Sequence, residues 1–426
     1  MPFHLLEGVK MKKTIIFLSL LLSSLVFAET NIDLNGYIRN ETGVLLDTDK
    51  DSEFGLMKNT LNLELNYRND DDTVGAKANP FIYYYGDNTY KMDLREIYFD
   101  IYLDSMDIRV GKQQIIWGKA DGVFITDIVS PKDLTEFLTR DFEEIRIGVN
   151  SLKLDYYVGD ATFELVVIPV FRPTILPADD SIWAPQKPDF LKHANIDMSK
   201  KDITPSITNS EVFFKYSLLA SFMDFEVMAG YTWDDDPTLH MTQKIVNGMP
   251  QITITPEHHR LALMGGSFSK DMFGLFVLRS EIAFYYQKYF LLKTPDSVTH
   301  ENTDQRDYIH YLVGVDATPF WDITMSIQFI QRAILNHDDN IKADEFDNTM
   351  TFLLRKTFLR ETLTLEFFAY YGINTQDALL KPKMTYDFTD ELKLTLGAYI
   401  FVGDDDGVFG QYKDNNMVYV KGKLNF

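Results

Sequence analysis

The chain has no cysteine. It can therefore form no disulfide framework and offers no thiol for lipid anchorage. Long apolar runs are also missing: beyond Ala28 no stretch approaches the ~18–20 consecutive apolar residues that a membrane-crossing helix needs, which excludes a helical membrane protein. Basic residues are scarce, with 41 Lys and Arg against 63 Asp and Glu and a formal charge of −22. Such a chain is a poor partner for nucleic acid. No phosphate-binding loop, nucleotide fingerprint or metal-ligand spacing is present, so the sequence assigns no cofactor, no metal and no catalytic set. His258 and His259 adjoin, Ser267 follows, and His310 lies further on. No spacing fixes a partner for any of them.

What is present begins with a leader. Lys12 and Lys13 precede an apolar run from Thr14 to Leu22, and Val26-Phe27-Ala28 fits a cleavage site, so Met11 to Ala28 reads as a secretory signal peptide. The ten residues before Met11 fit no part of such a signal, and the start is expected at Met11. Removing residues 1–28, which carry Lys10, Lys12 and Lys13 against Glu7, leaves a mature chain at about −24 by the same counting. Much of the acidity sits in turn-like clusters such as Asp70-Asp71-Asp72, Asp234-Asp235-Asp236, Asp338-Asp339 and Asp404-Asp405-Asp406. These read as solvated loops.

A chain that is 45% hydrophobic and 14% aromatic is too apolar for disorder. From Ile32 onward, segments of about ten to fourteen residues alternate in polarity and are separated by turn residues, as in a transmembrane β-barrel. About eighteen such strands can be counted, sixteen being the alternative, over 32–46, 56–68, 73–85, 92–104, 106–117, 145–157, 161–171, 209–220, 223–233, 258–269, 275–290, 307–318, 321–333, 345–358, 361–372, 376–387, 391–402 and 415–426. Connections after even-numbered strands are short; those after odd-numbered strands, 373–375 excepted, are mostly long. Outer-membrane barrels sort their loops by parity in this way. The expected fold is all-β: a transmembrane antiparallel up-and-down barrel over 29–426 in the bacterial outer membrane. Ile32 begins a strand almost at once, which leaves no room for a plug domain.

The faces follow from cost, since Arg or Lys at the lipid-facing midplane costs about 2–4 kcal/mol. Glu96, Tyr98, Asp100 and Tyr102 are expected inside against Ile97, Phe99, Ile101 and Leu103 outside. Arg279, Glu281, Tyr285 and Gln287 oppose Phe276, Leu278, Ile282 and Phe284, and Thr324, Ser326, Gln328 and Arg332 oppose Ile323, Met325, Ile327 and Phe329. With Arg109 from the fifth strand, the lumen wall is polar and carries both charges. A soluble barrel would need the reverse.

Between the fifth and sixth strands lies the connection 118–144. Ser130-Pro131-Lys132-Asp133 reads as a helix start, with Leu134, Phe137 and Leu138 forming one apolar face. One alternative is a loop outside over the rim, its helix packing Leu134, Phe137 and Leu138 on neighbouring loops; in general porins the loop in this place folds into the lumen. Lys119, Asp121, Asp127, Lys132, Asp133, Glu136 and Arg140 are then the candidate constriction charges, beside Asp141, Glu143 and Glu144. The connection 172–208, with Pro173, Pro177, Pro185, Pro188 and Pro205, reads as irregular surface chain. The last strand ends on Phe426 and resembles the C-terminal signal read by the barrel-assembly machinery.

The stretch VGKQQIIWGKADGVFITDIVSPKDLTEFL, residues 110–138, is similar to a segment of a family of porin-like outer-membrane barrels related loosely to the alginate-export barrels. The resemblance implies a barrel and passage of a moderately large solute. A barrel of sixteen to eighteen strands is wide enough to leave an aqueous channel, so the expected function is diffusion of small to medium hydrophilic solutes. The alternative is an adhesin that displays its loops; a lipid transporter or an outer-membrane hydrolase accounts for fewer of the features. The expected partners are membrane lipid, the assembly machinery and the solutes.

Overall fold

The computed structural model describes residues 31–47, 53–186, 194–220, 223–246, 249–294 and 302–426. The leader 1–28, with the expected start at Met11, lies outside the described residues.

In chain order the strands are β1 (Ile32–Leu45), β2 (Phe54–Arg68), β3 (Val74–Tyr85), β4 (Tyr90–Leu103), β5 (Met106–Gln113), β6 (Val149–Val158) and β7 (Ala161–Ile168). Next come β8 (Asn195–Ile196), β9 (Glu211–Ala220), β10 (Met223–Trp233), β11 (Thr238–Val246), β12 (Met249–Glu257), β13 (Arg260–Met272) and β14 (Phe276–Leu291). The last seven are β15 (Thr303–Ala317), β16 (Thr324–Ile334), β17 (Phe346–Phe358), β18 (Leu363–Gly372), β19 (Asp377–Asp387), β20 (Leu392–Val402) and β21 (Met417–Asn425). All except β8, β11 and β12 join one 18-stranded antiparallel sheet, and β21 pairs back onto β1, which closes the barrel.

At the seam, Phe426 and Gly36 exchange backbone hydrogen bonds of 2.9 and 3.0 Å. A Cβ at Gly36 would lie 2.5 Å from the Asn62 carbonyl oxygen and 2.9 Å from the Phe426 ring, so only glycine lets the ring close over the seam.

The strand faces have the expected inversion. On β4, Ile97, Phe99 and Leu103 are half exposed while Asp100 is buried; on β14, Ile282 and Tyr286 are exposed against buried Glu281 and Ala283. On β16, Ile327 is exposed and Ser326, Gln328 and Ile330 are buried. An apolar band of this extent is not stable against water, whereas a closed barrel leaves no unpaired edge and is suited to hydrocarbon. The buried side chains divide about evenly between apolar clusters and polar groups, and many of the charged ones are held in ion pairs.

Two local expectations change, and one loop holds added structure. The fifth strand stops at Gln113 rather than 117, because Gln114 to Trp117 turn inward: the Ile115 amide donates to Ser130 Oγ at 2.9 Å. The helix expected from Ser130 does not form. Lys132 and Asp133 are extended and bridge to Arg146 and Ile175, Phe137 sits at φ 49°, and the helical turn lies later, at Phe142–Ile145. Asp133, expected within the first turn of that helix, accepts instead from the Thr135 hydroxyl at 2.6 Å and the Lys91 ammonium at 3.0 Å. Tertiary pairing overrode the local helix signal. Finally, the connection after β10 holds a regular hairpin, β11–β12, with β8 added in parallel.

Candidate channel constriction

The connection between β5 and β6 lies against inward-facing side chains from most of the barrel wall. Its first limb follows β7, β10 and β14. Trp117 Nε1 donates to Glu164 at 2.7 Å and the Lys119 ammonium pairs with Glu226 at 3.2 Å. Glu281 accepts from the Lys119 amide at 2.6 Å and from the Thr126 hydroxyl at 2.6 Å. Arg279 holds Asp121 at 2.8 Å and also pairs with Asp316. The tip reaches β18, where the Tyr370 hydroxyl donates to the Gly122 carbonyl at 2.7 Å.

The return limb meets β21 through β4 and is bound there by ions. Lys58, 1% exposed, holds Glu136 at 2.7 Å, and Arg140 bridges Glu136 at 2.9 Å to Asp133 at 2.7 Å. Arg39 pairs with Glu144 at 2.9 Å and Asp141 at 3.0 Å; Lys421 also reaches Asp141 at 2.9 Å. Tyr37 adds a hydrogen bond to Glu144 at 2.8 Å. Burial by itself would raise the Glu136 carboxyl, but Lys58 and Arg140 outweigh it and bring the pKa from 4.5 down to about 2. Glu144 is likewise brought from 4.5 to about 2, against its burial, chiefly by Arg39 and Lys58. For Asp133, Arg140 and the Thr135 hydroxyl overcome burial and bring it from 3.8 to about 2. Breaking one partner out of such pairs strands a buried charge.

Against β19 and β20 the same limb makes only neutral-acceptor bonds: Lys381 to the Leu138 carbonyl at 2.7 Å and Tyr399 to the Thr139 carbonyl at 2.8 Å. Two cavities open beside this side of the loop. One of about 530 Å³ faces the long loops and is lined by Asp127, Lys132, Asp234, Asp236, Lys288, Arg332 and Asp347, with more acids than bases. Asp235 also lines it, and burial pushes that carboxyl well above 3.8, only partly opposed by Lys132. The other, about 420 Å³, faces the short turns and is net basic, with Arg140, Arg355, Lys381, Lys383 and Lys421 against Asp121, Asp141 and Glu366. Gly122, Leu138 and Tyr370 line both. The partition between the chambers is therefore narrow at these residues.

Of the seven candidate constriction charges, Asp127, Asp133, Glu136 and Arg140 are buried, each within ion pairs; Asp127 takes Arg146 at 2.5 Å. Lys119, Asp121 and Lys132 are more open, and Lys132 stands 5.2 Å over the Phe124 ring. On the wall, Arg109 grips Asp100 through bonds of 2.6 and 3.0 Å, Glu96 takes Lys77 at 3.2 Å, and Arg332 takes Asp347 at 3.1 Å. Sequence reasoning overlooked Arg39, Lys58, Tyr370, Lys381 and Lys421. Strand parity offered a signal, since Arg39 and Glu41 share the face opposite Leu34 and Ile38 on β1, and Lys58 and Thr60 the face opposite Leu61 and Leu63 on β2. Ser267 donates to Glu226 at 2.8 Å, while the His258 ring bonds the Asp234 carbonyl at 2.7 Å, so these residues do not meet.

No curated protein matches the chain. Among solved structures it is similar to a BenF-like porin from Pseudomonas fluorescens Pf-5, with TM-score 0.56 and 9% identity over 93% of this chain and 98% of the other. Acinetobacter baumannii OccAB1 gives 0.55 and 8% over 94% and 97%; Pseudomonas aeruginosa OccK2, solved with glucuronate, gives 0.54 and 9% over 93% and 97%. At these identities the likeness is one of fold: the 18-stranded barrel of bacterial outer-membrane porins, in agreement with the expected location. Residues 66–426 match the family described as "Protein of unknown function (DUF1302)", and with most of its length inside that match the chain belongs to this family.

Proposed function

We propose that the protein is an outer-membrane diffusion channel for small to medium hydrophilic solutes, in which the loop between β5 and β6 sets the narrowest point. The observation that carries this reading is the pair of polar cavities on opposite sides of one partition, both bounded by Gly122, Leu138 and Tyr370. A plugged barrel would fill one side, and a display barrel has no need of either. Solutes pass between the loop and the β15–β20 wall, where facing charges orient them. The moderately large solute implied by the resemblance of residues 110–138 to porin-like barrels loosely related to the alginate-export barrels fits the two chambers, and the apolar outer band takes membrane lipid. Phe426, paired with Gly36 at the seam, is the element offered to the assembly machinery.

Liposome swelling with a graded series of sugars, on protein whose folding is verified by a heat-modifiable gel shift, tests the proposal. Swelling that falls with sugar size is expected. Folded protein that passes neither sugars nor ions contradicts it.

A further inference from the structure

Away from the lumen, three side chains converge where the β11–β12 hairpin leaves the barrel rim. His240 lies on β11, Glu257 ends β12, and His259 stands just before β13. The hairpin register places Thr238 opposite Glu257, which brings His240 beside the base of the returning strand. The two Nε2 atoms of His240 and His259 face each other at 2.8 Å, and one ligand atom from each of the three residues lies within 4.8 Å of the others. All three are half-buried.

Two imidazole Nε2 atoms at this distance either share one hydrogen, donated by the Nε2–H tautomer of one ring to the lone pair of the other, or both direct lone pairs at a metal ion. Metal–nitrogen bonds of about 2.0–2.1 Å put two donors about 2.9 Å apart at a right angle and about 3.3 Å apart at the tetrahedral angle of zinc, so the observed spacing suits a right-angled pair as it stands and a zinc pair once the rings part by about 0.5 Å. The surroundings favour a fixed site. Tyr289 on β14 stacks on the His259 ring with centroids 3.9 Å apart, and Lys200 holds one oxygen of Glu257 at 2.9 Å, leaving the other to turn inward. Outer contacts of this kind orient first-contact ligands.

We propose that His240, Glu257 and His259 bind one divalent transition-metal ion of the zinc class at the outer base of the β11–β12 hairpin. Two nitrogens and one carboxylate select zinc, nickel or copper over calcium and magnesium, which take oxygen donors. With three protein ligands, at least one coordination position stays open to water, as in exchangeable sites. The ion ties the hairpin to the start of β13 and so to the barrel rim. The hairpin is also held independently, since Asn302 donates to the Leu239 carbonyl at 3.0 Å and accepts from the Met241 amide at 2.7 Å. Variants that lose the ion therefore keep the fold.

The test titrates untagged protein, folded in detergent micelles, with zinc chloride by calorimetry, and repeats the titration on His240→Ala, His259→Ala and Glu257→Gln. A copper(II) sample read by electron spin resonance reports the number of nitrogen ligands. One saturable ion per chain, two nitrogens on copper, and an affinity lowered at least about tenfold in each histidine variant are expected; tenfold is the lower end of what loss of an outer partner costs. Absence of saturable binding, or binding that His240→Ala and His259→Ala leave unchanged, overturns the proposal. The heat-modifiable gel shift, equal in all four proteins, separates loss of the ion from loss of the barrel.

Discussion

The loop inside the barrel meets two unlike walls. Along the arc from β21 through β1 to β4 it is held by buried ion pairs, with Lys58, Arg39 and Lys421 from the wall answering Glu136, Glu144 and Asp141 from the loop. Along the arc from β15 to β20 it makes hydrogen bonds through Tyr370, Lys381 and Tyr399 and apolar contacts through Ile125, Phe137 and Leu138, and both cavities open beside this arc, though their linings extend to β10, β13, β14 and β21. The difference separates two tasks that one loop must perform. Charges buried in complementary pairs fix a position and are little screened by salt. A passage, in contrast, needs polar groups that stay hydrated and available to a solute. The loop commits Asp133, Glu136 and Glu144 to attachment, while its Asp121, Lys132, Arg140 and Asp141 also line the cavities.

Removing one ion from the attached arc gives the largest expected effect. Lys58→Met leaves Glu136 buried with Arg140 alone, a loss of about 3–5 kcal/mol for a broken buried pair. Lys381→Met on the open arc frees one carbonyl and costs about 1–3 kcal/mol. Urea titration of the folded barrels, scored by gel shift, should rank them in that order, with noisier single-channel currents in Lys58→Met only. Equal destabilisation would erase the distinction between the arcs.

Acid should weaken the attached arc next. Because the folded pKa values of Glu136, Glu144 and Asp133 are depressed to about 2, the stability they contribute is full above their ordinary values of 4.5 and 3.8 and is lost as pH falls toward about 2. Current fluctuations should rise within that window and stay flat from pH 5 to 8. A rise centred near neutrality would point to other groups.

A smaller effect is expected from the open arc. Lys383, which lines the basic chamber and pairs with Glu366 at 2.8 Å, contributes to its cation-repelling field. Lys383→Gln should shift the reversal potential in a salt gradient toward cation preference without changing barrel stability. An unchanged potential would detach that chamber from the permeation path.

Much of the architecture was legible because a barrel wall is a repeated local pattern. Ile97, Phe99 and Leu103 against Glu96, Tyr98 and Asp100 reveal inside and outside without knowledge of any partner strand. The parity of loop lengths then orders the strands. The inner loop was legible only by its place and its charges. Its route was not, because Lys58 meets Glu136 across 78 residues and Lys421 meets Asp141 across 280, and such pairings leave no trace in local spacing. The Ser130-Pro131 signal misled for the same reason: Lys132 and Asp133 found extended partners in Arg146 and Ile175. His240, Glu257 and His259 escaped notice because a hairpin register, not a short motif, unites them.

The proposed route for solutes runs beside the β15–β20 wall and not through the buried ion pairs of the attached arc. The cysteine-free chain allows a direct measurement: single-channel recording before and after a bulky charged thiol reagent on Lys383→Cys and on Thr60→Cys, the latter position being 1% exposed beneath Arg39. The reagent should cut the current through Lys383→Cys by a large fraction and leave Thr60→Cys unaltered. Block at Thr60→Cys with none at Lys383→Cys would contradict the account.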